Sequence, residues 1–394
     1  MPSLEFSNIS LGNLMLAPDI PGPTFSAAEI GIVTNTNRSF GFAMSTDTTN
    51  ILVGAYSAAK AIIYGYNGES WVKTAEFTRT GRFGFKVAIQ GDWAAISDSP
   101  VSGNGSVFIY RRIAGVWGTT PHTTLTVPTN LSSAAGFGSA VAMHGNTLVV
   151  GHRVANSVGG VHVYVWNGNA WVKQGDLIAP TLADVRAGSA QNLGSEVAIQ
   201  GDIIIAGGSG DTLGRGMGMA FVTKRTGASW SAPALIRPET SYSDGYGWSV
   251  AICGTTAVVG APAGNASDGH PGRAFVYDVS GNTPVLKTIL TVKKDKSELI
   301  QDPQVATADN YGWAVGLRED GNVLLVGSIA RFGSRGIAYA YEKVNDKWVA
   351  SAIPNSWLIG SDVAANARFG SAVGFTQGGV IVTASGSGKF YWFK

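Results

Sequence analysis

Phe137-Gly138-Ser139-Ala140-Val141-Ala142-Met143, then His144-Gly145-Asn146, then Thr147-Leu148-Val149-Val150-Gly151, reads as two strands joined by a tight turn. The second strand is apolar throughout, the pattern of a strand buried on both faces. A loop runs from His152 to Gly159, after which Val161-His162-Val163-Tyr164-Val165-Trp166 alternates as a third strand. Asn167-Gly168-Asn169 turns the chain, and Ala170 to Ile178 forms a fourth. The Asn-Gly pair points to a type I′ hairpin turn, which needs positive φ at both central residues.

The opening phrase, an aromatic residue or Leu followed by Gly and a small, apolar run, recurs seven times. It begins at Phe40-Gly41, Phe83-Gly84, Phe137-Gly138, Leu193-Gly194, Tyr246-Gly247, Tyr311-Gly312 and Phe369-Gly370. A period of about 40 to 60 residues marks a repeat architecture. The second strand returns as Ile51-Leu52-Val53-Gly54-Ala55, Ile203-Ile204-Ile205-Ala206-Gly207, Ala257-Val258-Val259-Gly260-Ala261-Pro262 and Val323-Leu324-Leu325-Val326-Gly327. Trp71, Trp117, Trp171, Trp230 and Trp348 open the fourth strand in most copies. Recurrence at one equivalent position assigns these Trp residues to packing between neighbouring sheets rather than to ligand stacking.

Four antiparallel strands per unit, repeated seven times, predict an all-β fold: a seven-bladed β-propeller. These residues resemble the FG-GAP repeat family, whose motifs stand most fully here as Tyr246-Gly247 and Gly260-Ala261-Pro262. The resemblance covers nearly the whole chain and implies the integrin-alpha-like propeller fold. Such propellers include adhesion heads, lectin-like modules and enzymes, so the fold by itself does not assign a function. The expected organisation is one propeller domain over residues 1–394. Blades start near residues 40, 83, 137, 193, 246, 311 and 369, and residues 1–39 form an N-terminal arm with the closing strand. The last copy holds three strands before the chain stops, which would leave an unpaired edge. Leu14-Met15-Leu16-Ala17-Pro18 resembles Leu177-Ile178-Ala179-Pro180, so residues near Leu4 to Pro18 are expected to supply the missing outer strand of blade seven.

Composition narrows the function classes. Gly is abundant (53 residues) and charged residues make up only 14%, which suits tight turns and short half-buried strands. A net charge of +2 gives no long-range attraction for nucleic acid or acidic membranes. No apolar run approaches the roughly 18 residues of a membrane span, and residues 1–20 lack the basic start and apolar core of a signal peptide. The expectation is a soluble chain, cytoplasmic or on a particle or virion surface. Cys253 stands alone, within an apolar strand, and reads as a small buried hydrophobe.

Turns between strands one and two, and between three and four, are short. Loops joining strands two and three, and loops joining blades, are long, and in an up-and-down blade both classes emerge on one face. Binding residues concentrate on such loops. The candidate ligand residues there are Arg153, Asp211, Arg215, Tyr242, His270, Arg273, Arg331 and Arg335; Asp184, Arg186, Asp244, Asp362 and Arg368 also lie in these loops. The planar fork of Arg suits carboxylate or sulfate, which points to an acidic glycan or a protein partner. Adhesion heads of the resembling family carry calcium loops of the form Asp-x-Asp-x-Asp-Gly. The equivalent turns here, such as Gln200-Gly201-Asp202 and Glu319-Asp320-Gly321-Asn322, hold too few carboxylates. The five His residues show no zinc-like spacing, so neither metal nor cofactor is expected.

The primary expectation is a non-enzymatic binding module, lectin-like or adhesive, using the long-loop face. One alternative is a structural assembly protein that packs with other copies or within a particle. The other is a polysaccharide lyase or glycosidase, for which Tyr242, His270 and Arg273 could neutralise a carboxylate and move a proton. No nucleophile elbow, P-loop or His-Glu-x-x-His motif is present.

Overall fold

The computed structural model describes residues 29–37, 39–99, 104–128, 136–153, 159–178, 192–209, 218–236, 244–263, 270–293, 300–301, 306, 308–351 and 357–394. Seven antiparallel sheets form in the order of the repeats. Their innermost strands are Ala43–Thr46, Phe83–Gln90, Phe137–His144, Glu196–Gln200, Ser249–Cys253, Tyr311–Leu317 and Phe369–Thr376. Each packs on the innermost strand of the next blade, and Phe369–Thr376 packs on Ala43–Thr46, so the ring closes. Among the described residues, helix is limited to the single turns Tyr56–Ala58 and Arg331–Ser334.

The recurring phrase is a turn. The N–H of Phe42, Ser139, Ser195, Trp248 and Trp313 each donates to the carbonyl three residues earlier, at 3.0–3.2 Å. The motif glycine is the third residue of that turn. All seven have positive φ, from +74° at Gly138 to +92° at Gly312, the value a type II turn demands at this place. The turn drives the preceding aromatic or Leu inward between blades, where Phe40, Phe83, Phe137, Leu193, Tyr246, Tyr311 and Phe369 are all buried.

A second glycine, in the second strand, sets the spacing between blades. A Cβ on Gly54, Gly151, Gly207, Gly260 or Gly327 would stand 2.0–2.3 Å from the carbonyl oxygen of the next blade's motif glycine. Blades two and seven place Ser97 and Thr383 at this position instead. There the side chain takes up a hydrogen bond: Lys86 N–H donates to Ser97 Oγ at 3.0 Å, and Thr383 Oγ1 donates to the Gly41 carbonyl at 2.8 Å.

On the opposite face, the short turns are stapled blade to blade. Gly91 N–H donates to Asp47 Oδ2 at 3.0 Å, Gly201 N–H to His144 Nδ1 at 3.1 Å, and Gly254 N–H to Gln200 Oε1. The strand-opening Trp residues pack between sheets as expected, each against the preceding blade. Trp71 meets Trp392 with centroids 6.2 Å apart, Trp171 meets Trp93 at 5.3 Å, and Trp230 Nε1 donates to Gln174 at 3.0 Å. Cys253 is buried at 6% exposure.

Two expectations shift. Blade seven is closed by the N-terminal segment, but the closing strand is Glu29–Thr34, paired antiparallel with Lys389–Phe393 from Glu29↔Phe393 to Thr34↔Lys389. That edge is therefore taken by residues C-terminal to Leu4–Pro18, which lie outside the described residues. Partly buried Ile32 and Val33 pack into the core on the two sides of this strand. The Asn167-Gly168 turn is not type I′, since only Gly168 has positive φ (+98°). Asn167 Oδ1 instead accepts from the N–H of Asn169 at 3.0 Å and of Ala170 at 2.9 Å, an Asx turn in a four-residue loop.

Candidate functional site

In five of the seven blades the residue after the motif glycine lines the central channel, whereas Ser139 is buried with its Oγ donating to the Gly194 carbonyl at 2.8 Å. Phe42, Ser195, Trp248, Trp313 and Ser371 line one cavity of about 580 Å³ in the central channel, which runs from its mouth at the turn end of the innermost strands down to Ser45, Met143 and Ile199. Arg82, Lys86, Arg153 and Glu196 line it as well. Such a volume lies within the usual range of small-ligand sites, and mixed aromatic and polar lining is typical of them.

The aromatic groups fall into two clusters. Trp248 and Trp313, from adjacent blades, stand with ring centroids 4.6 Å apart at 48°. Phe42, Tyr56 and Phe85 form a second group with centroids 4.9–5.8 Å apart. Tyr56 comes from the loop between strands two and three of blade one, Phe42 and Phe85 from the turns of blades one and two. The Arg82 guanidinium lies over Phe85 at 4.3 Å and Tyr56 at 4.9 Å, while its Nη1 donates to the Ser99 carbonyl at 3.2 Å. These contacts fix the direction of its fork.

The charges at the mouth are unbalanced. Lys86 of blade two and Glu196 of blade four form an ion pair across the front of blade three, half-buried at both ends. Arg82 and Arg153 have no ion pair among the described residues. Burial first, and then the neighbouring Arg82 charge, hold the Arg153 guanidinium below its ordinary pKa. Desolvation and like-charge repulsion both favour an anion beside this pair.

The expected ligand residues disperse. Arg153 lines the cavity, and its N–H donates to Ser139 Oγ at 3.3 Å. Arg273, largely covered, and Arg331, buried, form ion pairs with Asp244 at 3.7 Å and Asp309 at 3.5 Å. His270 is buried, and its Nδ1 accepts from Gly272 N–H at 3.1 Å. Arg335 donates through Nε to the Val363 carbonyl at 2.9 Å. Asp362 pairs with Lys389 and accepts from Tyr391 Oη at 2.7 Å. Asp211, Arg215 and Tyr242, like Asp184 and Arg186, lie outside the described residues. Burial outweighs the attraction of Arg273 and raises the Asp244 pKa to about 6. Asp244, His270 and Arg273 do not line the channel cavity.

Two histidines that sequence spacing left apart come together in blade three. His152 Nδ1 and His162 Nε2 are 3.1 Å apart, and His162 Nδ1 bonds Asp176 Oδ1 at 2.7 Å. Both rings are fully buried against Phe137, and burial lowers the His162 pKa despite the Asp176 carboxylate. Among the described residues no group of three or more His, Cys, Asp or Glu is placed to hold a metal ion. No helix among them is long and apolar enough to cross a membrane.

The match to a known repeat falls on the blade-five unit. Residues 234–277 match the FG-GAP repeat family model. The FG-GAP match runs from the outer strand of blade four through the first three strands of blade five, and so includes Tyr246-Gly247-Trp248 and Gly260-Ala261-Pro262. No curated protein matches the chain. Among solved structures, a chain from the crystal structure of a mitotic checkpoint complex superposes with a TM-score of 0.59, covering 96% of this chain and 99% of that one. At 12% identity this likeness concerns the fold alone.

Proposed function

We propose that this FG-GAP propeller is a non-catalytic recognition module that binds its ligand at the channel mouth on the long-loop face. One observation carries the reading: a cavity walled by Trp248 and Trp313 also receives Arg82 and Arg153, two guanidiniums without an ion pair among the described residues. Structural packing alone does not explain half-buried Trp side chains lining the same cavity as two guanidiniums that lack an ion pair among the described residues, since core positions favour apolar groups and paired charges. The fold supports the reading, because a rigid ring presents loops of different length and sequence on one face.

The test is a ligand selection that presumes no ligand class. Wild-type protein and a Trp248→Ala/Trp313→Ala variant are screened in parallel against a glycan array and a displayed peptide library. Ligands retained by the wild type and lost by the variant are the expected outcome. Ligands that bind both proteins equally, or no ligand for the wild type in either library, would overturn the reading.

A further inference from the structure

The two walls of the mouth differ in chemistry, and together they specify a ligand class. On one side stand Arg82 and Arg153. Arg82 is aimed by its stacking on Phe85 and Tyr56 and by the single bond from Nη1 to Ser99, which leaves its Nε and Nη2 donors uncommitted among the described side chains. Lys86 is already neutralised by Glu196, so the surplus charge of the mouth resides on the two guanidiniums. A forked donor of this kind matches a carboxylate through two parallel hydrogen bonds.

On the other side stand Trp248 and Trp313, half-buried, with indole faces suited to the flat C–H face of a pyranose ring. Asn192 and Ser195 line the same cavity and bring small polar groups to it, the Ser195 hydroxyl donating to the Asn192 carbonyl at 2.6 Å and keeping its acceptor lone pairs. The cavity is enclosed by the innermost strands, and about 580 Å³ accommodates a small-molecule-sized unit rather than a length of extended chain.

We propose that the channel mouth takes an acidic saccharide, with its carboxylate held by Arg82 and Arg153 and a pyranose ring lying on Trp248 and Trp313. This rests on the recognition reading above and adds the ligand class. The experiment is a glycan array of matched pairs, glucuronate-terminated against glucose-terminated and sialylated against asialo, probed with the full chain. Acidic members should be retained and their neutral counterparts bound at least tenfold more weakly. Arg82→Gln and Arg153→Gln should each remove that preference. Methyl esterification of the retained glycan should abolish binding to the unaltered protein, which gives the same answer should an Arg variant fail to fold. Equal retention of acidic and neutral partners, or binding that survives esterification, overturns the inference. Mouth-dependent binding of peptides with a blank glycan array overturns it too, while leaving the recognition reading standing; a blank in both overturns the two together.

Discussion

The Thr383 hydroxyl donates a 2.8 Å hydrogen bond to the Gly41 carbonyl, joining the second strand of blade seven to the opening turn of blade one across 342 positions of sequence. The same oxygen accepts from Ala372 N–H at 2.9 Å, so one side chain serves both sides of the junction. Thr383 is fully buried. Thr383→Val keeps the shape and leaves the buried Gly41 carbonyl and the half-buried Ala372 N–H without their partner, at a cost of about 1–3 kcal/mol. Thr74→Val, on the exposed outer strand of blade one, should change stability by less than about 0.5 kcal/mol. Urea unfolding of the two variants checks this, and equal midpoints would count against a closing role for Thr383.

Closure also depends on the outer strand of blade seven. Glu29–Thr34 covers the free edge of Lys389–Phe393, and Glu29 accepts from Ser361 N–H at 2.7 Å and Oγ at 2.8 Å. Truncation after residue 34 should therefore lower Tm relative to truncation after residue 28, by something on the order of 5 °C or more, with increased aggregation through the exposed edge. Thermal melts of the two truncated proteins make the comparison. Coincident melts would show that the strand adds nothing to closure.

Blade spacing gives a sharper contrast. A Cβ on Gly151 would stand 2.0 Å from the Gly194 carbonyl oxygen, a backbone atom that cannot swing aside. On Gly175, in the outer strand of the same blade, the nearest atom is Trp230 Cδ1 at 3.8 Å. Gly151→Ala should destabilise by about 2 kcal/mol or more through overpacking, whereas Gly175→Ala should be nearly neutral. Chemical denaturation of both variants decides it, and similar losses would contradict the close approach of blades three and four.

The fold was legible because its two demands are backbone demands written as glycine. Gly41 through Gly370 need positive φ and mark every repeat, and Gly54, Gly151, Gly207, Gly260 and Gly327 need the absence of a Cβ and mark five of the seven. The closing strand was harder to locate, since Glu29–Thr34 carries no such glycine pair and Leu14–Pro18 imitates the end of a fourth strand. The site was only partly legible. Arg153 stood out by loop position, but Phe42, Trp248 and Trp313 read as part of the repeat phrase although they turn into the channel. Their signal was variation at a fixed place: Phe, Phe, Ser, Ser, Trp, Trp and Ser follow the motif glycine, and a purely structural position would hold one size. Arg273 and Arg331 looked like ligand groups because sequence does not show that Asp244 and Asp309, each two residues before a motif Tyr, fold back as their counterions.

Asp244 supplies a pH-dependent prediction. Its side chain is 2% exposed, and burial raises its pKa to about 6 from an ordinary 3.8, the Arg273 charge at 3.7 Å notwithstanding. A raised carboxylate pKa means that the native state holds a proton the unfolded chain has released. The group's contribution to stability is thus fully present below about pH 4 and is lost as pH rises through about 6. Asp244→Asn removes this slope while keeping the side-chain shape. Relative to wild type, the Asn variant should gain up to about 3 kcal/mol between pH 4 and pH 7, whatever constant offset the loss of the Arg273 pair imposes. Urea unfolding of both proteins at pH 4, 5, 6 and 7 measures the difference directly. A flat difference would mean that Asp244 titrates in the fold as it does in water, and that the Asp244–Arg273 pair is far better solvated than its burial implies.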